Sequence, residues 1–414
     1  MHNHDECPYA SDLPAFLQGE LSQEARASLE QHLKDCPACR AAAESHRRTI
    51  ETLRRPLPPV ESRDLAPAIL ERVQAGNRGR RPVFLRAAAL VIGLVGAGAL
   101  IGLIVPRLGT RADPRVTAAV EWLRSAQEPD GHWDTFKWGA QKNYAPGIAA
   151  LAVLALLKQD DNALDGPNGD AIRRGLDYLL GQQNPEGRIG ALNSGTPYNQ
   201  GLATLAFLEA GARANDTRWK QAATLALTYI RATQQPSGGW GYPREATDSC
   251  NTSITVWQLQ ALIKADSMGQ YGMQPSIEKG LAWLDSTVDE EGRVGYARAN
   301  DFPYGYETLT AAGALCFLNT KYRRASSARL PQILEALRDA ARQTSDVDYY
   351  RLYFMTQALA ASGGPDTELA AKLRDSLLVC QAGTGEHVGS FETQDRWSSA
   401  GGRVYATAMA VLAL

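Results

Sequence analysis

A histidine and two cysteines near the start of the chain have the spacing of a metal site. His32, Cys36 and Cys39 follow the pattern H-x3-C-x2-C. His32 and Cys36 are four residues apart, so a helix would place them one turn apart on the same face. Pro37 disfavours continuation of that helix, so the chain can bend and bring Cys39 to the same point. Structural zinc sites use four tetrahedral nitrogen and sulfur ligands, and the pattern therefore predicts a structural zinc ion with Cys7 as the fourth ligand.

The same residues are also compatible with arrangements that differ from this zinc site. His2 and His4 could replace Cys7 or add to it. The three thiols could be unconnected and the histidine a surface residue. A redox C-x-x-C pair is a further alternative, although no βαβ pattern surrounds it. A segment of about fifty residues buries too little surface to fold well alone, so a zinc ion would contribute strongly to its folding.

An amphipathic helix is predicted immediately before the cysteines and would position them. Ser22 can cap its first turn, where Glu24 is also favourable. Its apolar side chains recur every four residues, at Leu21, Ala25, Leu29 and Leu33. The run CPYASDLPAFLQGELSQEARASLEQHLKDCPACR, within residues 1–55, resembles the zinc-binding anti-sigma factor family. In that family the small helical domain binds a cytoplasmic sigma factor, so the resemblance implies a sigma factor or another cytoplasmic protein as partner.

A membrane-spanning helix is predicted at residues 83–106, after an Arg- and Pro-rich juxtamembrane linker at 56–82. Residues 87–105 contain no charged or strongly polar side chain. About twenty helical residues span the hydrocarbon core of a bilayer, so this run is long enough. A buried core helix is the alternative. The spacing of Gly98 and Gly102 could pair two such helices, which would give a homodimer.

Arginines flank the apolar run and are more numerous before it than after it. This bias favours a cytoplasmic N-terminus. The expected location is therefore the bacterial inner (cytoplasmic) membrane, crossed once, with the later residues outside the cytoplasm.

The charge balance argues against a role in nucleic-acid binding along the whole chain. The 43 basic and 45 acidic side chains give a net charge of −2, so we expect no direct nucleic-acid partner. The later cysteines, Cys250, Cys316 and Cys380, are scattered and do not have the pattern of a disulfide framework.

A repeat of about fifty residues organises the rest of the chain. It is anchored by the pairs Trp122-Leu123, Tyr178-Leu179, Tyr229-Ile230 and Trp283-Leu284. This period suits a helix, a loop and a second helix. First helices are predicted to begin near Val116, Ala171, Lys220, Ile277, Pro331 and Glu368. Second helices are predicted to begin near Tyr144, Tyr198, Asn251, Tyr306, Tyr349 and Arg403. The second helices are rich in alanine and apolar nearly all round, which predicts an inner layer, whereas the first carry charges on one face.

The turns inside the hairpins share a Q-x3-G-x-W pattern. It is complete at Gln127-Gly131-Trp133 and Gln234-Gly238-Trp240, and it lacks the tryptophan at Gln183-Gly187-Ile189 and Gln381-Gly385-His387. We expect the glutamine to bond the loose backbone at the end of the outer helix and the tryptophan to shield that bond.

This motif resembles the repeat of squalene cyclases and protein prenyltransferases over residues 115–414. The resemblance implies a six-hairpin α/α toroid whose inner helices line a central cavity suited to an apolar or isoprenoid-like ligand. An open solenoid is the alternative to a closed ring. The predicted fold class is thus all-α, with a small zinc-bound helical domain, one transmembrane helix and the toroid.

The acid motif and metal site that this family uses for catalysis are not evident in the sequence. The D-x-D-D acid with which such cyclases protonate an alkene is not found. Asp248-Ser249-Cys250 matches part of the zinc site of the prenyltransferases, but Tyr405 stands near the place of the expected histidine. Asp248 would otherwise cap a helix and Cys250 would be buried. We therefore assign no catalytic residue.

Side chains near the starts of the inner helices are the candidate ligand-binding residues. They are Asp248, Trp257, Tyr304 and Tyr306, with Trp138, Tyr144, Tyr198 and Trp397 as further candidates. Ordinary packing is the equal alternative. Together the features predict a single-pass membrane regulatory protein, with a cytoplasmic zinc finger that binds a sigma factor or other protein and a toroid that binds a ligand or partner. The alternatives are a membrane-anchored terpene cyclase or prenyltransferase-like enzyme and a non-catalytic envelope scaffold.

Overall fold

The computed structural model describes residues 23–37, 39–41, 43–44, 113–159, 162–214, 216–243, 248–322, 329–344, 346–363 and 367–414. The chain divides into two compact units, residues 1–112 and 113–414. In the first unit, helix α1 (Gln23–Asp35) has 13 residues. Leu29 on this helix and Cys39 just after it are fully buried.

The predicted fold class needs one correction, which concerns the membrane. No helix in these described ranges is both long and apolar enough to cross a bilayer. The longest of them, Thr196–Arg213, has 18 residues but includes Asn199, Gln200 and Glu209, whereas a span needs about twenty mostly apolar residues. The predicted linker (56–82) and span (83–106) lie outside the described residues. The described fold is therefore all-α with a toroid and without a transmembrane helix.

The second unit consists of six helical hairpins, as the repeat predicted. Its outer helices are α2 (Pro114–Ser125), α4 (Gly169–Gly181), α6 (Thr217–Ala232), α8 (Gln274–Ser286), α10 (Leu330–Gln343) and α12 (Thr367–Leu378). Its inner helices are α3 (Ala145–Lys158), α5 (Thr196–Arg213), α7 (Thr252–Ser267), α9 (Glu307–Asn319), α11 (Tyr349–Ala361) and α13 (Ser398–Ala413). The inner helices bury most of their residues, whereas the outer helices bury one face.

The inner helices form a closed ring. Each packs against the next, and the last, α13, packs against the first, α3. Backbone bonds join the same two hairpins: Gln141 N donates to Ala400 O (2.8 Å) and Arg403 N donates to Trp138 O (2.9 Å). Gly201 allows close packing within the ring, since a Cβ there would lie 2.9 Å from the Trp257 Cβ. These contacts favour the closed toroid over an open solenoid.

The turn motif works differently from our expectation. Trp133 Nε1, not the glutamine, donates to the Leu123 carbonyl near the end of the outer helix (2.8 Å). Gln127 Nε2 donates to Gly131 O (3.0 Å) and to Ala171 O of the next outer helix (2.9 Å). The glutamine therefore joins neighbouring hairpins, while the tryptophan donates a hydrogen bond to a backbone carbonyl near the end of the outer helix.

A glutamine also joins the sixth hairpin to the first and so closes the ring. The residues that follow it in this turn are not those that the sequence pattern indicated. Gln381 Nε2 donates to Gly389 O (2.8 Å) and to Arg115 O of the first outer helix (2.7 Å). Gly389 has a φ of +89°, and a Cβ there would lie 2.5 Å from the Ala118 carbonyl oxygen. The motif glycine is thus Gly389 rather than Gly385, and buried Phe391 occupies the tryptophan position.

Candidate functional site: an aromatic cavity in the toroid

An apolar cavity of about 150 Å³ lies where the inner helices begin. We call it the upper cavity. Aromatic rings supply much of its wall, from Tyr144, Tyr198, Tyr242, Trp257, Tyr350, Trp397 and Tyr405. Aliphatic side chains complete it, from Ile148, Leu151, Leu202 and Met409. Among the described residues, none with a formal charge lines this cavity.

The polar atoms in the wall mostly satisfy one another. Tyr198 Oη lies 3.0 Å from Ser253 Oγ and 3.3 Å from Tyr242 Oη. Trp257 Nε1 donates to Tyr350 Oη (2.7 Å). Burial raises the pKa of both Tyr198 and Tyr350 well above that of an exposed phenol, so these hydroxyls are neutral. The cavity therefore offers aromatic faces and engaged hydroxyls to a ligand.

Trp257, together with Leu151, lines two cavities of the ring. Its indole lines the upper cavity on one side and a larger cavity of about 470 Å³, at the opposite ends of the inner helices, on the other. The ring of Tyr353 stacks on it with a centroid separation of 5.8 Å and an interplanar angle of 13°.

The predicted ligand residues fall in different places. Trp257 lines the upper cavity, but Asp248, Tyr304 and Tyr306 are not among its lining residues. Asp248 is in a turn with a φ of +67°, and its carboxylate accepts from Ser237 N (2.9 Å). Tyr304 is 64% exposed and contacts Trp397, while Tyr306 packs on Phe302.

The further aromatic candidates divide in a similar way. Tyr144, Tyr198 and Trp397 line the upper cavity. Trp138 lies outside it, in a polar cleft with His387.

The partial prenyltransferase pattern has an ordinary structural role. Cys250 is buried, as expected, and its Sγ lies 3.4 Å from Ser237 Oγ. The cap of helix α7 is Asn251, whose side chain accepts from Ile254 N (3.0 Å), so the predicted cap at Asp248 is wrong. Within the described ranges, this pair belongs to no cluster of metal-ligating side chains.

A pair of carboxylates behind the cavity was not predicted from the sequence. Asp348 caps helix α11, where its Oδ1 accepts from Arg351 N (2.9 Å). Asp395 accepts from Ser398 Oγ (2.6 Å) and from the hydroxyl of the cavity residue Tyr405 (3.2 Å). Burial raises the pKa of Asp348. The cap bond with Arg351 opposes this rise, and the nearby charge of Asp395 adds to it.

The sequence held a signal for the first of these carboxylates. Asp346-Val347-Asp348-Tyr349 fills three positions of the D-x-D-D pattern, with tyrosine in the fourth. A search that tolerated one replacement at the start of an inner helix would have found it. Asp395 lies in a long turn with no such signal.

The predicted zinc ligands of the first unit come together. One ligand atom from each of His32, Cys36 and Cys39 lies within 4.8 Å of the other two. This is close to the separation imposed by a shared zinc ion with ligand distances of about 2.0–2.3 Å. Helix α1 supplies the register, since Cys36 N donates to His32 O (2.9 Å). The nitrogen and sulfur donors suit zinc, and the predicted fourth ligand, Cys7, lies outside the described residues.

Comparison with known proteins supports a zinc finger in the N-terminal segment. Residues 9–40 match the family described as "Putative zinc-finger". The match includes His32, Cys36 and Cys39 but begins after Cys7. The segment is thus of the anti-sigma zinc-finger type, and its donor set supports a zinc-binding site.

The C-terminal region resembles terpene cyclases. Drimenyl diphosphate synthase of Streptomyces showdoensis is 28% identical over 189 residues, which are 45% of this chain and 32% of that protein. Squalene–hopene cyclase of Bradyrhizobium diazoefficiens is 24% identical over 209 residues, which are 44% of this chain and 30% of that protein. The aligned part is thus about a third of the length of these curated relatives.

Solved structures share the fold of the toroid. The type II terpene cyclase MstE from Scytonema has a TM-score of 0.50 at 15% identity, covering 72% of this chain and 96% of that chain. The GH76A α-1,6-mannanase from Salegentibacter sp. HEL1_6 has a TM-score of 0.53 at 12% identity, covering 72% of this chain and 97% of that chain. At these identities the likeness shows the fold alone, and the fold serves unrelated chemistries. The chain therefore joins an anti-sigma-like zinc finger to a terpene-cyclase-like toroid.

Proposed function

We propose that this chain is a regulatory binding protein. Its toroid binds a small apolar ligand, and its zinc finger binds another protein, with a sigma factor as the first candidate. The observation that carries the toroid part is the upper cavity, which is aromatic, uncharged in its described lining and about 150 Å³ in volume. The finger part is supported by the family match and by the grouping of His32, Cys36 and Cys39.

The volume selects the ligand class. An apolar cavity of about 150 Å³ holds a molecule the size of benzene. A single prenyl unit or a small aromatic ring therefore fits the upper cavity, whereas a triterpene does not. Aromatic walls favour a flat or unsaturated ligand that can contact ring faces.

The toroid proposal is tested by measuring binding of toluene, prenol (3-methyl-2-buten-1-ol) and squalene to the full-length chain, by calorimetry and thermal shift. We expect the two small ligands to bind and squalene not to bind. Leu202→Phe fills the upper cavity and should abolish binding. Leu225→Phe, on the 42% exposed Leu225 of an outer helix, is the matched control and should bind normally. Equal binding by both variants, or none by the wild type, would refute the proposal.

The finger proposal is tested by capturing sigma factors from host lysate with the zinc-loaded full-length chain. Cys36→Ser and Cys39→Ser should lose both zinc and the sigma factor. Cys380→Ser, in the toroid, is the matched control and should retain both. A wild-type chain that carries zinc but captures no sigma factor would contradict this partner.

An enzymatic alternative has one observation in its favour, the buried Asp348 of the Asp346-x-Asp348 pattern with its raised pKa. A carboxylic acid in its neutral form can protonate an alkene, but Asp348 does not line the upper cavity and its carboxylate pairs with Arg396 (3.4 Å). Product analysis after incubation with squalene or geranylgeranyl diphosphate tests this alternative. Cyclised product that disappears in Asp348→Asn would establish it, and the absence of product from the wild type would exclude these substrates.

A further inference from the structure

The cavity on the other side of Trp257 has a different chemistry from the upper cavity. We call it the lower cavity. It measures about 470 Å³, within the size range of small-molecule sites. It lies where the inner helices end, because Lys158, Arg213 and Asn319 are the last residues of α3, α5 and α9.

Cations outnumber carboxylates among the residues that line the lower cavity. Lys158, Arg213 and Lys264 are basic, and Glu209 is the one acidic side chain in this described lining. Glu209 forms ion pairs with both Arg213 (3.2 Å) and Lys264. Lys158 Nζ instead donates to the carbonyl oxygen of Leu412 (2.6 Å). Cations also complement helix C-termini, but these four side chains leave an excess of two positive charges around one concave space.

Hydrogen-bond donors are also in excess there. Lys158 and Lys264 each carry three N–H donors and Arg213 carries five, and the structure engages only some of them. Gln260 Nε2, in the cavity wall, is buried and has no hydrogen-bond partner. A ligand atom that accepts hydrogen bonds and carries negative charge would complement all of these groups.

The body of the lower cavity is apolar. Its aliphatic wall comes from Leu151, Leu154, Leu205, Ile263 and Leu412, and Trp257 and Tyr353 add aromatic faces. The site thus combines a cationic rim with a hydrophobic interior.

We propose that the lower cavity binds a second ligand, an apolar molecule that ends in a carboxylate or phosphate, with the anion at Lys158, Arg213 and Lys264. Burial lowers the pKa of Lys158, because the ammonium loses hydration, and an anionic head group would offset that cost. This ligand is distinct from the small uncharged ligand of the upper cavity, because cationic side chains line the lower cavity and not the upper one.

Calorimetry on the full-length chain tests the proposal with three twelve-carbon probes: dodecanoate, dodecyl phosphate and dodecanol. At least one of the two anions should bind about tenfold or more tightly than the alcohol, as expected for one charge-assisted hydrogen bond. The tighter anion identifies the head group. Equal affinity of all three probes, or no binding of either anion, would overturn the proposal.

Variants locate the site. Lys158→Gln should weaken anion binding about tenfold and leave dodecanol unchanged, whereas Lys158→Arg should restore it. Lys279→Gln, on an exposed outer-helix lysine, is the matched control. Leu205→Phe narrows the lower cavity without altering its charge and should weaken the binding of all three probes. Leu225→Phe is its control and should leave their binding unchanged. Anion binding that survives both Lys158→Gln and Leu205→Phe would place the ligand elsewhere and refute the assignment.

Discussion

Replacing Trp257 with alanine should change which ligands the toroid accepts. The indole is 2% exposed and, with Leu151, lines both the upper and the lower cavity. Its removal joins spaces of about 150 and about 470 Å³ into one bore. A fifteen-carbon prenyl alcohol such as farnesol, too large for the upper cavity, should then bind more tightly than it does to the lower cavity of the wild type.

The cost to stability can be judged from the contacts of Trp257. Its ring lies 5.2–6.1 Å, between centroids, from those of Tyr350, Tyr353 and Phe354, and its Nε1 donates to Tyr350 Oη. Truncating a buried tryptophan to alanine costs about 3–5 kcal/mol, and the neighbouring cavities leave little to collapse into the gap. We therefore expect the upper part of that range. Domains are typically stable by about 5–15 kcal/mol, so the variant should remain folded at 25 °C.

The assay combines urea unfolding, followed by circular dichroism, with calorimetric binding of toluene and farnesol. Trp219→Ala is the matched control, because Trp219 is equally buried on outer helix α6 and lines neither cavity. Both variants should lose several kcal/mol, about 3–5 by the same rule, but only Trp257→Ala should bind farnesol more tightly than the wild type does. A Trp257→Ala variant whose affinities for toluene and farnesol match those of the wild type would show that the indole does not divide the bore.

Three further predictions concern closure, charge and metal. Gln381→Ala removes one bond within the last turn, to Gly389 O, and one bond that joins this turn to the first outer helix, to Arg115 O. It should lower the free energy of unfolding by about 1–3 kcal/mol in urea titrations. Asp348→Asn keeps the helix cap but removes a carboxylate whose pKa is raised by burial. At pH 7 the wild type should therefore be less stable to unfolding than the variant. That deficit should shrink as the pH falls through the folded-state pKa of Asp348, where the wild type also becomes neutral; a deficit that grows would refute this sign. Removing zinc with a chelator should reduce helicity, and Cys36→Ser should lower the zinc content measured by atomic emission, whereas a Cys36→Ser chain with full zinc would exclude this ligand.

The toroid could be predicted from the sequence because the repeat shows in the residue pattern of each helix. Alanine-rich second helices must be buried, and amphipathic first helices must cover them. Each of the six hairpins accordingly begins near its predicted position. Ring closure could not be predicted in this way, because it depends on contacts such as Gln141 with Ala400, more than two hundred residues apart in the chain.

The turn motif shows where pattern matching failed. His387 and Gly385 stand at the motif spacing after Gln381, but the sixth turn is longer than the others. The bond from Gln381 therefore reaches Gly389, which meets the backbone of the first outer helix at Ala118. Only the requirement for a close backbone approach, which spacing does not reveal, identifies the correct glycine.

The structure places some of the predicted ligand residues at the upper cavity and others outside it, for a related reason. Trp257 and Tyr198 lie within the inner helices, and both line the upper cavity. Tyr304 and Asp248 lie in turns outside the helices, where the sequence does not fix the direction of the chain. In the structure Tyr304 packs against Trp397 at the rim, and the Asp248 carboxylate is bound by its own turn.

The hydroxyls of the upper cavity bear directly on whether the toroid selects polar or apolar ligands. A polar ligand would have to displace bonds that already exist, because Tyr198 is engaged with Ser253, and Tyr350 with Trp257. Such an exchange gains little, since a broken wall bond offsets each new one. An apolar ligand leaves the bonds intact and gains from burial against the aromatic faces. Although many of its lining residues carry hydroxyls, the upper cavity should therefore discriminate by shape and size rather than by hydrogen bonding.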